Sequence, residues 1–162
     1  MIGDHIRAEA TALLATLRAG GLMVATAESC TGGLIIGALT EIAGSSDVVD
    51  RGFVTYSNEA KTEMLGVSAG LIGQHGAVSE PVARSMAEGA LGRSRAGVSI
   101  SVTGVAGPGG GSDDKPVGTV WFGAARRGGE TVSERRLFAG DRSAVREATV
   151  RHALELLGRI SK

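Results

Sequence analysis

The sequence predicts a single-domain α/β protein in which helices cover both faces of a mixed β-sheet, giving a three-layer α/β/α fold. Strand-like and helical segments alternate through the first two thirds of the chain, whereas two consecutive strand-like segments near its end predict a hairpin. The 162 residues suffice for one core but not for two ordinary domains, so we expect one domain over residues 1–162. Hydrophobic residues make up 43% of the chain but aromatic residues only 3%, which predicts a core of aliphatic side chains.

The N-terminal third predicts a helix, a strand and a second helix. Apolar residues recur at helical spacing over residues 6–17, and the glycine pair that follows ends this helix. Residues 22–26 predict a short buried strand that stops just before Ser29, and helical spacing resumes over residues 34–42. Ser29 is therefore expected where a strand runs into a helix.

The middle of the chain predicts a further strand and two more helices. Residues 53–56 alternate in character, as strands do, and Ser57 is placed to cap a short helix over residues 58–65. Lys61 lies one turn into that helix. Another helix is expected over residues 79–92, since the proline near its start is tolerated in a first turn.

The last third predicts three strands and a terminal helix. Residues 98–103 alternate aliphatic residues with serine or threonine, which predicts a strand with one apolar face. The glycine- and proline-rich residues 104–116 predict a long loop, and loops of that length are usually functional. Residues 117–125 and 131–138 predict the hairpin, and the last helix turns an apolar face toward the core over residues 150–160.

Charge and composition exclude several classes of function. Seventeen basic residues balance seventeen acidic ones, so the chain lacks the positive field of proteins that bind nucleic acid or anionic membranes. The single Cys30 excludes an intramolecular disulfide, and three scattered histidines argue against a metal site. The single cysteine fits a reducing cytoplasm, and no apolar run has transmembrane or signal-peptide character. The oligomeric state stays open, because apolar edges or faces could be buried in a homo-oligomer.

Ser29 is the first candidate for chemistry. A serine at a strand-to-helix junction exposes its hydroxyl beside N–H groups that favour negative charge and can form an oxyanion hole. Alternatively, Ser29 caps the helix that begins near Thr31. A nucleophilic serine needs a base, and Lys61 can serve only if burial or nearby positive charge keeps it neutral. Otherwise Lys61 is an ordinary solvated lysine.

Other side chains offer less support for catalysis. A pairing of Ser29 with His75 is conceivable, but no spacing rule connects the two. Tyr56 could relay a proton or hold Lys61, or it is a half-buried strand residue. Cys30 adjoins Ser29 but must point in a different direction, so we expect it to pack.

The glycine-rich loop is a candidate phosphate site. Backbone amides of residues 107–112 could cradle a phosphate, or the segment is simply a wide flexible turn. The standard nucleotide motifs do not fit, because Lys115 is followed by proline and the loop leads into a strand. Arg142, at the start of the last helix, could clamp a carboxylate or phosphate. In the alternative interpretation Asp141 caps that helix and Arg142 is solvated.

Four separated motifs resemble the CinA C-terminal-domain family. They are Ala-Glu-Ser-Cys-Thr-Gly-Gly at 27–33, Tyr-Ser-Asn at 56–58 followed by Lys61, Gly-Ala-Val-Ser at 76–79, and Thr-Gly-Val-Ala-Gly-Pro-Gly-Gly at 103–110. Several motifs in one order are far more specific than a single glycine pattern, and the resemblance spans nearly the whole chain. The chain lacks the additional N-terminal domain of longer members, so the resemblance implies the stand-alone form.

The resemblance implies a nicotinamide-nucleotide amidohydrolase that deamidates nicotinamide mononucleotide to nicotinic acid mononucleotide and ammonia, in pyridine nucleotide salvage, with no metal or cofactor. It implies that Ser29 is the nucleophile and Lys61 its base. It also implies that Tyr56 and Thr103 orient this dyad or the substrate. The candidate substrate-binding residues are Thr31, Gly32, Gly33, Gly107, Gly109, Gly110 and Arg142.

Two other functions stay open on the sequence. A non-catalytic nucleotide-binding or regulatory domain, linked to DNA uptake or damage response, would bind a ligand without releasing ammonia. A serine amidohydrolase for a different small amide would release ammonia from another compound, and nothing in the glycine loop excludes it. An assay of ammonia release from nicotinamide mononucleotide therefore distinguishes both alternatives from the nicotinamide-nucleotide amidohydrolase.

Overall fold

A five-stranded mixed sheet forms the middle layer of the computed structural model, which describes residues 2–162. Its strands are β1 (Val24–Glu28), β2 (Val49–Val54), β3 (Val98–Gly104), β4 (Thr119–Arg126) and β5 (Val132–Leu137). They lie in the order β2-β1-β3-β4-β5. β1 pairs in parallel with β2 and β3, whereas β4 pairs antiparallel with β3 and β5. This arrangement confirms the predicted mixed sheet.

Helices cover both faces of the sheet. They are α1 (Asp4–Ala19), α2 (Leu34–Thr40), α3 (Asn58–Leu65), α4 (Ala69–His75), α5 (Glu80–Gly92) and α6 (Arg142–Ile160), with a short 3₁₀ turn at Ser45–Asp47. α1, α2 and α6 pack on one face around Leu14 and Phe122, and α3, α4 and α5 pack on the other around Leu65 and Met86. The predicted three-layer fold is thereby confirmed. Among residues 2–162, no helix combines the length and the apolar character that crossing a membrane requires.

Several boundaries differ from the prediction. α4 lies where the sequence predicts only a connection. The helix is not predicted because two of its seven residues are glycines, which lower helix propensity. Ser68 caps this helix, since its hydroxyl accepts a hydrogen bond from the Leu71 N–H at 3.3 Å. β2 covers Val49–Val54 instead of the predicted 53–56. The sequence hides its start, because Asp50, Arg51 and Gly52 give no apolar alternation in this edge strand. β1 ends at Glu28, two residues beyond the predicted 22–26.

β3 has the one apolar face that the sequence predicts, formed by Val98, Ile100 and Val102, and its serine-bearing face is buried as well. Ser99 and Ser101 are fully buried and donate hydrogen bonds to the carbonyl oxygens of Ala87 and Ala83 in α5, at 2.7 and 2.5 Å. Their short side chains let α5 approach the sheet closely, and their hydroxyls find buried acceptors there. Gly123, the partner of Ser101 on β4, keeps the same space free.

Replacing Gly123 by alanine should destabilise the protein. The added methyl group would overlap the carbonyl oxygen of Ala83 and lie 2.6 Å from Ser101 Oγ, so α5 would have to move off the sheet. We expect the free energy of unfolding, measured by urea denaturation, to fall by about 1–3 kcal/mol.

Gly158→Ala in α6 is the matched control for Gly123→Ala. A methyl group at Gly158 meets no atom within 4 Å, so alanine should stabilise the helix by up to about 1 kcal/mol. Equal effects of the two substitutions would contradict the close packing of α5.

Candidate active site

The carboxyl ends of the parallel strands β1, β2 and β3 meet at one edge of the sheet, and Ser29 directly follows β1 there. The Ser29 N–H donates to the carbonyl oxygen of Val102 at 3.1 Å, which prolongs the pairing of β1 with β3. The Thr55 N–H donates to the carbonyl oxygen of Glu28 at 2.8 Å, so the chain after β2 stays beside the chain after β1. In open α/β sheets, this edge is where ligands bind.

Lys61 reaches Ser29 from the next helix. Its side chain is only 1% exposed, and its Nζ lies 2.9 Å from Ser29 Oγ. The same Nζ donates to the carbonyl oxygens of Thr55 and Tyr56, at 3.0 and 3.2 Å. Burial lowers the pKa of the Lys61 ammonium, because the charged form is poorly solvated there. The alternative of a solvated surface lysine is therefore wrong, and the distance allows direct proton transfer.

The position of Lys61 is set by the start of α3. Ser57 caps this helix, since its hydroxyl accepts a hydrogen bond from the Ala60 N–H at 3.0 Å. The cap fixes where the helix begins after β2 and places Lys61 one turn later, with its side chain directed inward. The predicted bounds of this helix are confirmed.

Glu28, which the sequence interpretation missed, caps α2. Its fully buried carboxylate accepts hydrogen bonds from the N–H groups of Ile35 and Ile36, both at 2.9 Å, and from Thr31 Oγ1 at 2.5 Å. Ser29 Oγ instead contacts Lys61. The interpretation of Ser29 as a helix cap is therefore wrong, and these two amides of the first helical turn are already occupied. A charged residue at the end of a buried strand was the available signal.

Arg146, on α6, also contacts the segment after Ser29 and was not predicted. Its Nε donates to the carbonyl oxygen of Cys30 and its Nη2 to that of Thr31, both at 3.1 Å. The partners lie more than a hundred residues apart in sequence, so no local pattern could have indicated the contact. Glu28 and Arg146 thus hold one turn, residues 29–33, which begins at Ser29 and which we call the nucleophile turn.

Tyr56, Arg142 and the glycine loop lie together. Arg142 donates through Nη1 to the carbonyl oxygen of Gly107 at 2.8 Å and through Nη2 to the Tyr56 hydroxyl at 3.3 Å. The Tyr56 side chain is 63% exposed, so Lys61 is held by the Tyr56 main chain and not by its hydroxyl. Asp141 does cap α6, through the Ala144 N–H at 2.9 Å, but Arg142 is more than a solvated side chain.

Thr103 contacts the connection between α4 and α5, and its hydroxyl makes no hydrogen bond to Ser29 or Lys61 among the described residues. It is buried, and its hydroxyl donates to the carbonyl oxygen of Ala77 at 2.9 Å, which ties the α4–α5 connection to β3. His75 is exposed at the end of α4, where its carbonyl oxygen accepts a hydrogen bond from Lys115 Nζ at 2.7 Å. The structure thus gives no support to a Ser–His pair, since the hydroxyl of Ser29 lies against Lys61.

A cavity of about 440 Å³ opens between the glycine loop and the start of α6. It is lined by Ala106, Pro108, Val117, Gly140, Asp141, Arg142 and Ser143. Gly109 and Gly110 are exposed in the loop, and a side chain at Gly110 would be strained because its φ is +86°. Arg142 and Asp141 therefore both border this space, next to the loop residues Ala106 and Pro108.

The neighbouring Cys30 has the properties of a packing residue. It is 6% exposed, and burial raises the pKa of its thiol to about 11. The thiolate is the reactive form of cysteine, so Cys30 is a poor nucleophile at neutral pH. Within residues 2–162, no group of three or more histidine, cysteine, aspartate or glutamate side chains is arranged to hold a metal ion.

Comparisons with known proteins agree in pointing to one family. The family model of the CinA C-terminal domain matches residues 7–160. The nicotinamide-nucleotide amidohydrolase PncC of Escherichia coli K12 is 55% identical over 141 residues, which cover 87% of this chain and 86% of that protein. A CinA-like protein of Akkermansia muciniphila is 56% identical over 133 residues, which cover 82% of this chain and 32% of that protein. The crystal structure of the competence/damage inducible protein CihA from Agrobacterium tumefaciens superimposes with a TM-score of 0.97 and 52% identity, covering 100% of this chain and 99% of that chain.

Cys30 should resist alkylation in the folded protein. A pKa of about 11 leaves roughly 100-fold less thiolate at pH 7.5 than an ordinary cysteine has, and burial limits access further. We expect iodoacetamide to modify Cys30 at least about 100-fold more slowly in the native protein than in guanidinium chloride, as measured by intact mass.

A Ser29→Cys variant in a Cys30→Ala background is the matched control for this alkylation. Its thiol would lie against Lys61 Nζ, which can accept its proton, so it should react faster than Cys30. Rapid modification of Cys30 in the native wild type would contradict its buried, protonated state.

Proposed function

Since this chain belongs to the CinA C-terminal domain family, we propose that it is a nicotinamide-nucleotide amidohydrolase that converts nicotinamide mononucleotide and water into nicotinic acid mononucleotide and ammonia. One observation carries the proposal: a buried lysine amine lies 2.9 Å from the hydroxyl of Ser29. The 55% identical relative from Escherichia coli bears the name of this activity. A serine hydroxyl with an adjacent neutral amine has the chemistry needed for attack on a carboxamide.

Acylation would proceed through the Ser29–Lys61 pair. The neutral amine of Lys61 accepts the Ser29 proton while Ser29 Oγ forms a bond to the carboxamide carbon. The resulting ammonium then protonates the departing nitrogen, the C–N bond breaks, and ammonia leaves. Lys61 is neutral again, and the pyridine carbonyl is esterified to Ser29.

Hydrolysis of the ester would reverse the roles. Lys61 accepts a proton from a water molecule, which attacks the ester carbon, and then returns a proton to Ser29 Oγ as the C–O bond breaks. The acid is released, and both residues regain their starting states. The carbonyl oxygens of Thr55 and Tyr56 support this cycle, because they can accept hydrogen bonds from Lys61 in either state.

The oxyanion would be bound by backbone amides of the nucleophile turn. The Gly32 N–H donates to the Ser29 carbonyl oxygen at 3.0 Å, so it closes the turn and is not available. Over residues 2–162, the N–H groups of Thr31 and Gly33 have no protein acceptor within hydrogen-bond distance. We propose these two amides, and not those of the α2 helix, as the donors to the developing negative charge.

Arg142 and the glycine loop would hold the phosphate. Arg142 bonds only to neutral acceptors among the described residues, a carbonyl oxygen and a phenol, and a phosphate is a stronger acceptor than either. The exposed amides of Gly109 and Gly110 lie in the same loop as Gly107. Tyr56 and Thr103 would act as positioning residues, through the Tyr56 carbonyl oxygen and the Ala77 contact.

We place this reaction in the cytoplasm, within pyridine nucleotide salvage. The single cysteine is a free thiol, which suits a reducing compartment. Ligand binding without release of ammonia would instead favour the regulatory alternative. Release of ammonia from other amides only would favour a different amidohydrolase.

Ser29→Ala and Lys61→Ala should each abolish the reaction. Without the nucleophile or its base, we expect kcat for ammonia release from nicotinamide mononucleotide to fall by at least about 10³-fold. For the wild type, kcat/KM should rise with pH and level off below the pH at which an ordinary lysine loses its proton. The base must be neutral, and burial lowers the pKa of Lys61.

Lys162→Ala, at the exposed end of the chain, is the control for these variants and should leave kcat unchanged. All variants should show cooperative thermal unfolding. Substantial activity in Lys61→Ala, or a wild-type kcat/KM that does not change with pH, would contradict the proposed dyad.

Arg142→Met should weaken binding of the phosphate specifically. Loss of a charge-assisted contact worth about 1.5–3 kcal/mol should raise KM for nicotinamide mononucleotide about 10- to 100-fold, with little change in kcat. Nicotinamide riboside, which lacks the phosphate, should be affected far less. Arg151→Met, on the same helix but paired with Glu9, is the matched control. An equal rise in KM for both compounds would show that Arg142 supports the loop and not the phosphate.

A further inference from the structure

We infer that Arg146 is a positioning residue for the oxyanion hole: it holds the peptide group between Cys30 and Thr31 so that the Thr31 N–H is presented to the reacting carbonyl. The inference rests on the proposed function, because it assumes that Ser29 attacks a carbonyl carbon. It concerns a residue outside the Ser29–Lys61 pair and outside the phosphate contacts.

Arg146 differs from its neighbours on α6 in what it binds. Arg151 forms an ion pair with Glu9, and Arg159 forms one with Glu134. Within residues 2–162, Arg146 has no carboxylate partner, and its half-buried guanidinium donates to two successive carbonyl oxygens of the nucleophile turn. Its rigid fork suits two acceptors at once. Its charge is therefore directed at the peptide backbone next to Ser29.

Peptide geometry links this contact to the oxyanion. A trans peptide is planar, and its C=O and N–H point in opposite directions. The Cys30 carbonyl is turned toward Arg146, so the Thr31 N–H of the same peptide is turned away from it. The next peptide is fixed as well, because the Thr31 carbonyl binds Arg146 while the Gly32 N–H closes the turn on Ser29. The Thr31 N–H is left as an unused donor two residues after the nucleophile.

Glu28 fixes the other side of the same residue. Its carboxylate accepts a hydrogen bond from the Thr31 hydroxyl, so Glu28 holds the side chain of Thr31. The Thr31 carbonyl oxygen accepts hydrogen bonds from Arg146 and from the Leu34 N–H. The guanidinium also polarises the peptide, which strengthens its N–H as a donor. Loss of Arg146 would free the peptide group between Cys30 and Thr31 to rotate, while Lys61 Nζ stays 2.9 Å from Ser29 Oγ. The expected defect is therefore in charge stabilisation and not in the dyad.

Arg146→Met tests the inference, because it keeps the aliphatic length and removes the donors. We expect kcat for ammonia release to fall about 10- to 100-fold with KM little changed, since an oxyanion donor acts in the transition state. Arg146→Lys should restore only part of the rate, because an ammonium lacks the planar fork. Added guanidinium at low millimolar concentration should partly rescue Arg146→Met. Arg151→Met, five residues further along α6, should keep the wild-type kcat.

A second readout separates this inference from the proposed function. A fluorophosphonate probe reacts by forming a Ser29 Oγ–phosphorus bond and expelling fluoride, with the Ser29 proton passing to Lys61, and it needs an oxyanion donor but no nicotinamide. The labelling rate, followed by intact mass, should fall in Arg146→Met as kcat does, whether or not nicotinamide mononucleotide is the substrate. Wild-type rates of labelling and turnover in Arg146→Met would overturn the inference, as would a change confined to KM. If Arg146→Met fails to unfold cooperatively, Arg146→Lys decides by the same two rates.

Discussion

A lysine side chain enters the interior from α3 and ends 2.9 Å from Ser29 Oγ, with two main-chain carbonyl oxygens as its other partners. Because these partners are neutral and no carboxylate pairs with the amine among the described residues, burial lowers the pKa of the Lys61 ammonium. The lowered pKa raises the share of the neutral amine, which is the form that a base for serine requires. The contact depends on β2 lying parallel to β1, since that pairing carries α3 to the carboxyl end of the sheet.

In the nucleophile turn, the N–H groups at the start of α2 need acceptors while the Ser29 hydroxyl has to stay free for Lys61. The start of a helix needs acceptors for its free N–H groups, and a serine at the junction is the usual residue to supply one. Here Glu28 takes over that task for Ile35 and Ile36, so the hydroxyl of Ser29 remains available to Lys61. Arg146 binds the carbonyl oxygens on the opposite side. The turn is therefore held without use of the Ser29 hydroxyl.

The elements that the sequence predicts well are those with local signals. Periodicity together with the caps Ser57 and Asp141 locates α3 and the start of α6, whereas α4 lacks such a pattern because of its glycines. The contact between Ser29 and Lys61 spans 32 residues and is created by strand pairing, so only the family resemblance pointed to it. Arg146 could not be found in the same way, since its partner lies 116 residues away and an arginine on a helix usually faces solvent.

Main-chain atoms hold Lys61, and such contacts constrain the sequence less than side-chain contacts would. The carbonyl oxygens of Thr55 and Tyr56 are supplied whatever side chains those positions carry. The Tyr56 ring, by contrast, projects into solvent beside Arg142. A different side chain at position 56 would therefore change the surface beside Arg142 while both carbonyl contacts of Lys61 stay in place. Position 56 can therefore vary in sequence without loss of the main-chain contacts that hold the lysine.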